Sequence, residues 1–140
     1  MGIDWAALTR RAAGFSDADV KAAIAKAKAL KGKGSDPNKI PTFWDQPKQM
    51  PTIADVDFGT VTIQTADIPN LLASNKWLKR DRLIWHIKNA PKAMNPSVFT
   101  EHPLVMETED GNVIIDGHHR LAAQTLLGAD QFPIFNLPST

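Results

Sequence analysis

The stretch that decides the fold of this chain lies near its C-terminal end, at residues 111–123. It reads Gly111-Asn112-Val113-Ile114-Ile115-Asp116-Gly117-His118-His119-Arg120-Leu121-Ala122-Ala123. Asp110 and Gly111 form a dipeptide that is typical of hairpin turns, and residues 113–115 are typical of a short buried strand. Gly128 is the kind of residue that ends helices. The pattern therefore predicts a turn, a strand and a helix over residues 118–127.

The joint between this strand and this helix concentrates polar side chains. Backbone amides at the start of a helix, next to cationic side chains, form a seat for phosphate or another anion. Gly117 leaves room for a ligand to approach the backbone, and the Arg120 guanidinium can donate two hydrogen bonds to one phosphate. We therefore predict that Gly117, His118, His119 and Arg120 bind a phosphate or nucleotide.

The catalytic candidates in this stretch are His119 and Asp116. His119 could contact the phosphate or move a proton near neutral pH. Asp116 is expected to cap the helix, and it could also orient a histidine or help to hold Mg²⁺ together with an NTP. The purely structural alternative is that Asp116 only caps, that the histidines lie on the surface, and that Arg120 pairs with an acid such as Glu107.

Composition limits the class of protein. The 140 residues fit one domain, and 43% apolar with 22% charged residues is ordinary for a globular protein. No run approaches 18 apolar residues and the N-terminus does not resemble a secretory signal, so we expect a cytoplasmic protein without a membrane partner. Cysteine is absent, which excludes disulfides and thiolate catalysis. No metal site is expected from His118, His119 and His102, because neighbouring histidines diverge on a helix.

The N-terminal third differs in composition from the rest. Residues 1–34 predict a helical hairpin appendage, with helices over 3–13 and 18–30 and a capping box made by Ser16 and Asp19. Residues 35–55 contain four prolines and predict a linker or arm. Its aromatic pair, Phe43-Trp44, either pins this arm onto the domain or serves a partner.

Residues 56–140 alternate strand and helix patterns, which predict an α+β domain with a small mixed β-sheet and packed helices. Strands are expected at residues 56–63, 104–109, 113–115 and 132–137. Helices are expected after Asp67-Ile68-Pro69, where Leu71, Leu72, Trp77 and Leu78 would bury one side, and at residues 81–90 and 118–127.

A basic segment precedes the deciding stretch, since residues 76–92 carry six basic and one acidic side chain. Interleaved with Trp77 and Trp85, these cations could follow a nucleic-acid backbone while a base stacks. The alternative is an amphipathic helix with a solvated basic face and buried tryptophans. The candidate nucleic-acid-binding residues are Lys76, Lys79, Arg80, Arg82 and Lys88.

Residues 113–123 resemble the signature of the ParB/sulfiredoxin superfamily, in which a glycine, a variable residue, an Arg or His and an Arg follow a strand at the start of a helix. The order of Asp67-Ile68-Pro69, Pro103-Leu104-Val105 and Asp110-Gly111-Asn112 before it is similar too. The resemblance covers about residues 56–137 and implies that fold, with nucleotide phosphates bound by residues 117–120. The superfamily includes ParB-like nucleases of phages and mobile elements, so nuclease, NTPase or phosphotransferase activity is implied, with ATP, CTP or DNA as partner.

Departures from the family pattern narrow these implications. Sulfiredoxins carry a catalytic cysteine at the position of His118, so their chemistry is not expected here. Partition ParB proteins usually have an acid and an arginine where His118 and His119 stand, and the helix-turn-helix region that follows their domain is not expected in this chain. Two further functions stay open, a non-catalytic DNA- or nucleotide-binding module and a phage assembly protein that retains the fold.

Overall fold

The computed structural model describes residues 16–32, 34–52, 59–89, 103–128 and 130–137. The expected first helix at residues 3–13 therefore lies outside the described residues. The helices are α1 (Asp17–Ala29), α2 (Arg80–Lys88), α3 (His118–Leu127) and a 3₁₀ helix (Thr65–Asn70). The strands are β1 (Lys39–Pro41), β2 (Gly59–Gln64), β3 (Leu72–Ala73), β4 (Trp77–Lys79), β5 (Leu104–Thr108), β6 (Gly111–Asp116) and β7 (Gln131–Leu137).

Five of these strands form one mixed sheet in the order β2-β7-β5-β6-β3. β2 pairs antiparallel with β7, and β5 and β6 form an antiparallel hairpin. β7 pairs parallel with β5, and β3 pairs parallel with β6. β1 and β4 form a separate antiparallel pair. The predicted α+β class with a small mixed sheet and packed helices is confirmed at this level.

The deciding stretch folds as its sequence predicts. β6 ends at Asp116, and α3 runs from His118 to Leu127 and ends at Gly128, whose φ of 76° is left-handed. One face of α3 is buried because small alanines let it approach its neighbours closely. The buried hydrophobic residues of α3 are Leu121, Ala122 and Ala123.

The prediction of an α-helix after Asp67-Ile68-Pro69 is wrong. A 3₁₀ helix occupies Thr65–Asn70 and stops there, with the Leu71 amide donating to the Ile68 carbonyl. The residues that were expected to line a helix face enter strands instead, since Leu72 pairs with Val113 at the sheet edge and Leu78 pairs with Ile40. Non-local strand pairing overrides the local helical spacing here.

The second helix of the expected hairpin is α1, and its predicted capping box is present. The Asp19 amide donates to Ser16 Oγ at 3.2 Å, and the Ser16 amide donates to Asp19 Oδ2 at 3.0 Å. Ala23 and Ala27 are buried in the main hydrophobic core. α1 packs against both α2 and α3. This helix therefore belongs to the core of the domain and does not stand apart from it.

The proline-rich segment is pinned to the domain through Ile40 and Trp44, as one of the two interpretations of Phe43-Trp44 predicts. Ile40 is fully buried in β1. The buried Trp44 indole donates from Nε1 to the Ile68 carbonyl at 2.8 Å, whereas Phe43 stays exposed. Among the helices of the described part of the chain, none is long and apolar enough to cross a membrane.

Candidate phosphate-binding site

A pocket of about 230 Å³ opens at the start of α3. It brings together three parts of the chain, the β3–β4 turn, α2 and the joint between β6 and α3. All four predicted phosphate-binding residues line it, and so does Asp116. The lining residues are Asn75, Arg82, His86, Asp116, Gly117, His118, His119 and Arg120. We call it the histidine–arginine pocket.

Gly117 has a backbone conformation that residues other than glycine rarely adopt. Its φ is 91°, which is left-handed. A Cβ placed there would lie 2.6 Å from Cβ and 2.8 Å from Cα of Pro103. Glycine therefore lets the chain turn from β6 into α3 while the segment before β5 packs against the turn.

Gly117, rather than Asp116, is the N-cap residue of α3, and no side chain caps this helix. The Asp116 carboxylate instead accepts from the Gly117 amide at 2.9 Å. The expectation that Asp116 caps α3 is thus wrong, because the turn at Gly117 moves the helix start one residue onward. Since the first amides of an α-helix lack partners within the helix, the uncapped end is suited to an anion.

His119 is held in one tautomer by β4. Its Nε2 accepts from the Lys79 amide at 2.9 Å, so in the neutral ring the proton sits on Nδ1. Burial, followed by the nearby charge of Arg82, lowers the pKa of His119 to about 4. At neutral pH the ring is therefore a neutral hydrogen-bond donor. Its catalytic role stays a prediction, but proton transfer by His119 near pH 7 is disfavoured.

His86 comes from α2 and stacks on His119, with ring centroids 6.4 Å apart and 22° between the ring planes. Burial first, and then the charges of Arg120 and Arg82, lower the pKa of His86 to about 4. This ring is neutral near pH 7 as well. The positive charge at the pocket accordingly comes from the two arginines.

His118 is the most enclosed residue of the site, with 7% of its surface exposed. Its ring meets Trp44 edge-on at 5.9 Å between centroids. Burial lowers the pKa of His118, against the opposing effect of Asp116. Within the described part of the chain, its buried Nε2 makes no hydrogen bond. A buried polar nitrogen of this kind normally has a hydrogen-bond partner.

The five candidate nucleic-acid-binding residues lie in different surroundings in the structure. Arg82 lines the histidine–arginine pocket. Arg80 is turned toward α1, where its guanidinium donates to the Leu30 carbonyl. Lys76, Lys79 and Lys88 are exposed. Glu107, the acid suggested as a partner of Arg120, accepts from Asn136 Nδ2 through Oε1 at 3.1 Å.

Sequence reasoning missed two contributors to the pocket, and it assigned a third to a different surface. Asn75 and His86 were not predicted to belong to it, and Arg82 was predicted only for nucleic-acid binding. Arg82 and His86 are four residues apart, which places them on one face of a helix. That spacing was a usable signal, but nothing local indicates that this face meets α3.

Across the described residues, no group of three or more His, Cys, Asp or Glu side chains is arranged to hold a metal ion. In comparisons with protein-family models, with curated protein sequences and with solved structures, nothing matches this chain.

Proposed function

We propose that this protein binds the phosphate group of a nucleotide or of another phosphate ester in the histidine–arginine pocket. The observation that carries the proposal is the uncapped start of α3, which opens into a pocket with two arginines. Helix amides and guanidinium groups are both strong donors to phosphate oxygens. The resemblance of residues 113–123 to the ParB/sulfiredoxin signature supports the same assignment.

His119 adds a neutral hydrogen-bond donor to this charge. His119 offers Nδ1–H, because its Nε2 already accepts from the Lys79 amide. His118 lies buried behind the pocket surface, and its Nε2 makes no hydrogen bond to the described residues. A phosphate in the pocket would therefore meet positive charge from two side chains and hydrogen-bond donors from the helix start and the His119 ring.

A reaction on the phosphate ester is the second candidate function, and it is favoured by the carboxylate of Asp116 at the pocket. One carboxylate together with phosphate oxygens suits Mg²⁺. Asp116 is the residue that would hold the ion, and bound Mg²⁺ would neutralise charge on the phosphate. Arg82 and Arg120 would stabilise the charge that develops during hydrolysis or transfer.

The test is a thermal-shift series with pyrophosphate, ATP, CTP and GTP, each with and without Mg²⁺. A ligand at 100 times its Kd stabilises the folded state by about 2.7 kcal/mol, so a clear rise in Tm is expected. Arg82→Ala should weaken binding about tenfold or more, because a hydrogen bond to a charged group contributes roughly 1.5–3 kcal/mol. Lys21→Ala, an exposed position on α1, is the matched control. No shift with any phosphate compound would overturn the proposal.

A further inference from the structure

An open groove continues from the histidine–arginine pocket along the outer side of α2. It has a volume of about 570 Å³ and is lined by Lys79, Asp81, Arg82, Trp85 and His86. Arg82 and His86 line the pocket as well. The groove and the pocket therefore adjoin at these two residues. We call the groove the Trp85 groove.

Trp85 gives this groove a large aromatic face. The side chain is 49% exposed, although α2 is anchored by the fully buried Leu83 and Ile87. The alternative interpretation, in which the tryptophans of this segment are buried, is therefore wrong for Trp85. Its ring stands edge-on to His86, with 5.0 Å between centroids and 88° between planes. A row of aromatic rings, from Trp85 through His86 to His119, leads to the pocket.

The charge around the groove is suited to a polyanion. The exposed cations Lys79 and Arg82 line it, and Lys88 is exposed on the same helix. Asp81 is the acid of the lining, and its carboxylate is engaged by Asn38 Nδ2 at 3.0 Å and the Arg82 amide at 2.7 Å. These hydrogen bonds lower the pKa of Asp81, and the one from Asn38 has the largest effect. Asp81 therefore stays charged and ties α2 to residue 38.

We propose that the Trp85 groove binds single-stranded nucleic acid, with an unpaired base stacked on Trp85 and a backbone phosphate in the histidine–arginine pocket. This inference rests on the proposed phosphate binding. Aromatic faces beside basic side chains are the usual way in which proteins hold single strands. A base inside a duplex is stacked on its neighbours, so it does not offer Trp85 a free face.

The openness of the Trp85 groove favours a strand over a free nucleotide. Pockets that enclose small ligands have volumes of about 300–1,000 Å³ and bury most of the ligand. The histidine–arginine pocket, at about 230 Å³, takes a phosphate group, while the base would rest on an open surface. A strand compensates for this openness through further phosphates, which the lysines outside the pocket can contact.

Fluorescence anisotropy of a labelled single-stranded oligonucleotide of about 12 nucleotides measures its binding. Its duplex, ATP, CTP and pyrophosphate are then added as competitors. We expect the single strand to bind more tightly than every competitor. Trp85→Ala should weaken single-strand binding about tenfold and leave pyrophosphate binding unchanged. Trp85→Phe should retain most of the affinity, and Phe43→Ala, which removes a similarly exposed aromatic residue, should retain all of it.

The outcomes separate the two proposals. If the unmodified protein bound neither pyrophosphate nor any of the nucleotides, the proposed function would be overturned. Intact pyrophosphate binding with no effect of Trp85→Ala on the single strand would overturn the Trp85 groove alone. Equal affinity for a mononucleotide and the strand, both weakened by Trp85→Ala, would also overturn the inference and make a free nucleotide the ligand. Tighter binding of the duplex than of the single strand would overturn the proposal that a base stacks on Trp85.

Discussion

At the scale of single residues, Gly117 governs the candidate site. A left-handed backbone at this position ends β6 and starts α3 without any side-chain cap. The residues at this helix start, 117–120, line the pocket. The same turn brings Pro103 so close that a side chain at residue 117 has no space. The site and the packing of the segment before β5 therefore depend on one glycine.

Gly117→Ala should destabilise the protein by about 1–3 kcal/mol or more, because it combines left-handed strain with overlap of Pro103. Gly128→Ala is the matched control, since Gly128 has a φ of 76° but nothing lies within 4 Å of the added Cβ. The control should cost about 1 kcal/mol. Urea unfolding followed by circular dichroism measures both. Equal losses would show that Pro103 does not restrict residue 117.

At the scale of elements, three helices meet around the site. α2 supplies Arg82 and His86, and α3 supplies the helix start. α1 does not line the pocket, but it packs on both other helices through the fully buried Ala23 and Ala27. Small side chains allow this close approach. The position of α2 relative to α3, which creates the pocket, is thus supported from the far side by α1.

Ala27→Leu should lower the free energy of unfolding by about 1–3 kcal/mol, because a larger side chain overpacks the contact of α1 with the core. Ala25→Leu is the control, since Ala25 lies on the same helix and is exposed. Chemical denaturation of the two variants gives the comparison. If Ala27→Leu were as harmless as Ala25→Leu, α1 would not be part of the core in solution.

At the scale of the whole molecule, the fold holds histidines from separate elements in their neutral form. His86 lies on α2, and His118 and His119 lie on α3. Burial lowers the pKa of each, and the values for His86 and His119 fall from 6.5 to about 4. The unfolded chain, in which these rings are solvated, takes up protons at a higher pH than the folded protein.

Stability should consequently fall as the pH is lowered from 7 to 5. A histidine whose pKa is lower in the folded protein makes its full contribution to the free energy of unfolding above pH 6.5, its pKa in the unfolded chain. This contribution is lost as the pH falls toward its pKa in the folded protein. Most carboxyl groups remain charged in this window. Urea midpoints measured at pH 5, 6 and 7 test this. The double variant His86→Gln/His119→Gln should show a flatter profile, and a flat profile in the unmodified protein would contradict the assigned pKa shifts.

Much of the fold was predictable where the signal is local. Gly111 marks the turn at the start of the deciding stretch, and Gly128 marks the end of α3. Ser16 and Asp19 mark the start of α1. The helix predicted after residue 67 failed because Leu72 and Leu78 have partners that are distant in sequence. Apolar spacing over a few residues cannot distinguish a short helix from two very short strands when the strands depend on such partners.

For the candidate site, the sequence by itself determined the joint at residues 116–120, because a strand, a glycine and a helix start are local features. The tertiary structure decided the rest, since only packing of α2 against α3 brings Arg82 and His86 to that joint. It also decided the protonation of the histidines, because their burial comes from several elements. Spacing along the chain specifies which residues share an element, whereas charge, burial and neighbours at a site arise from contacts between elements.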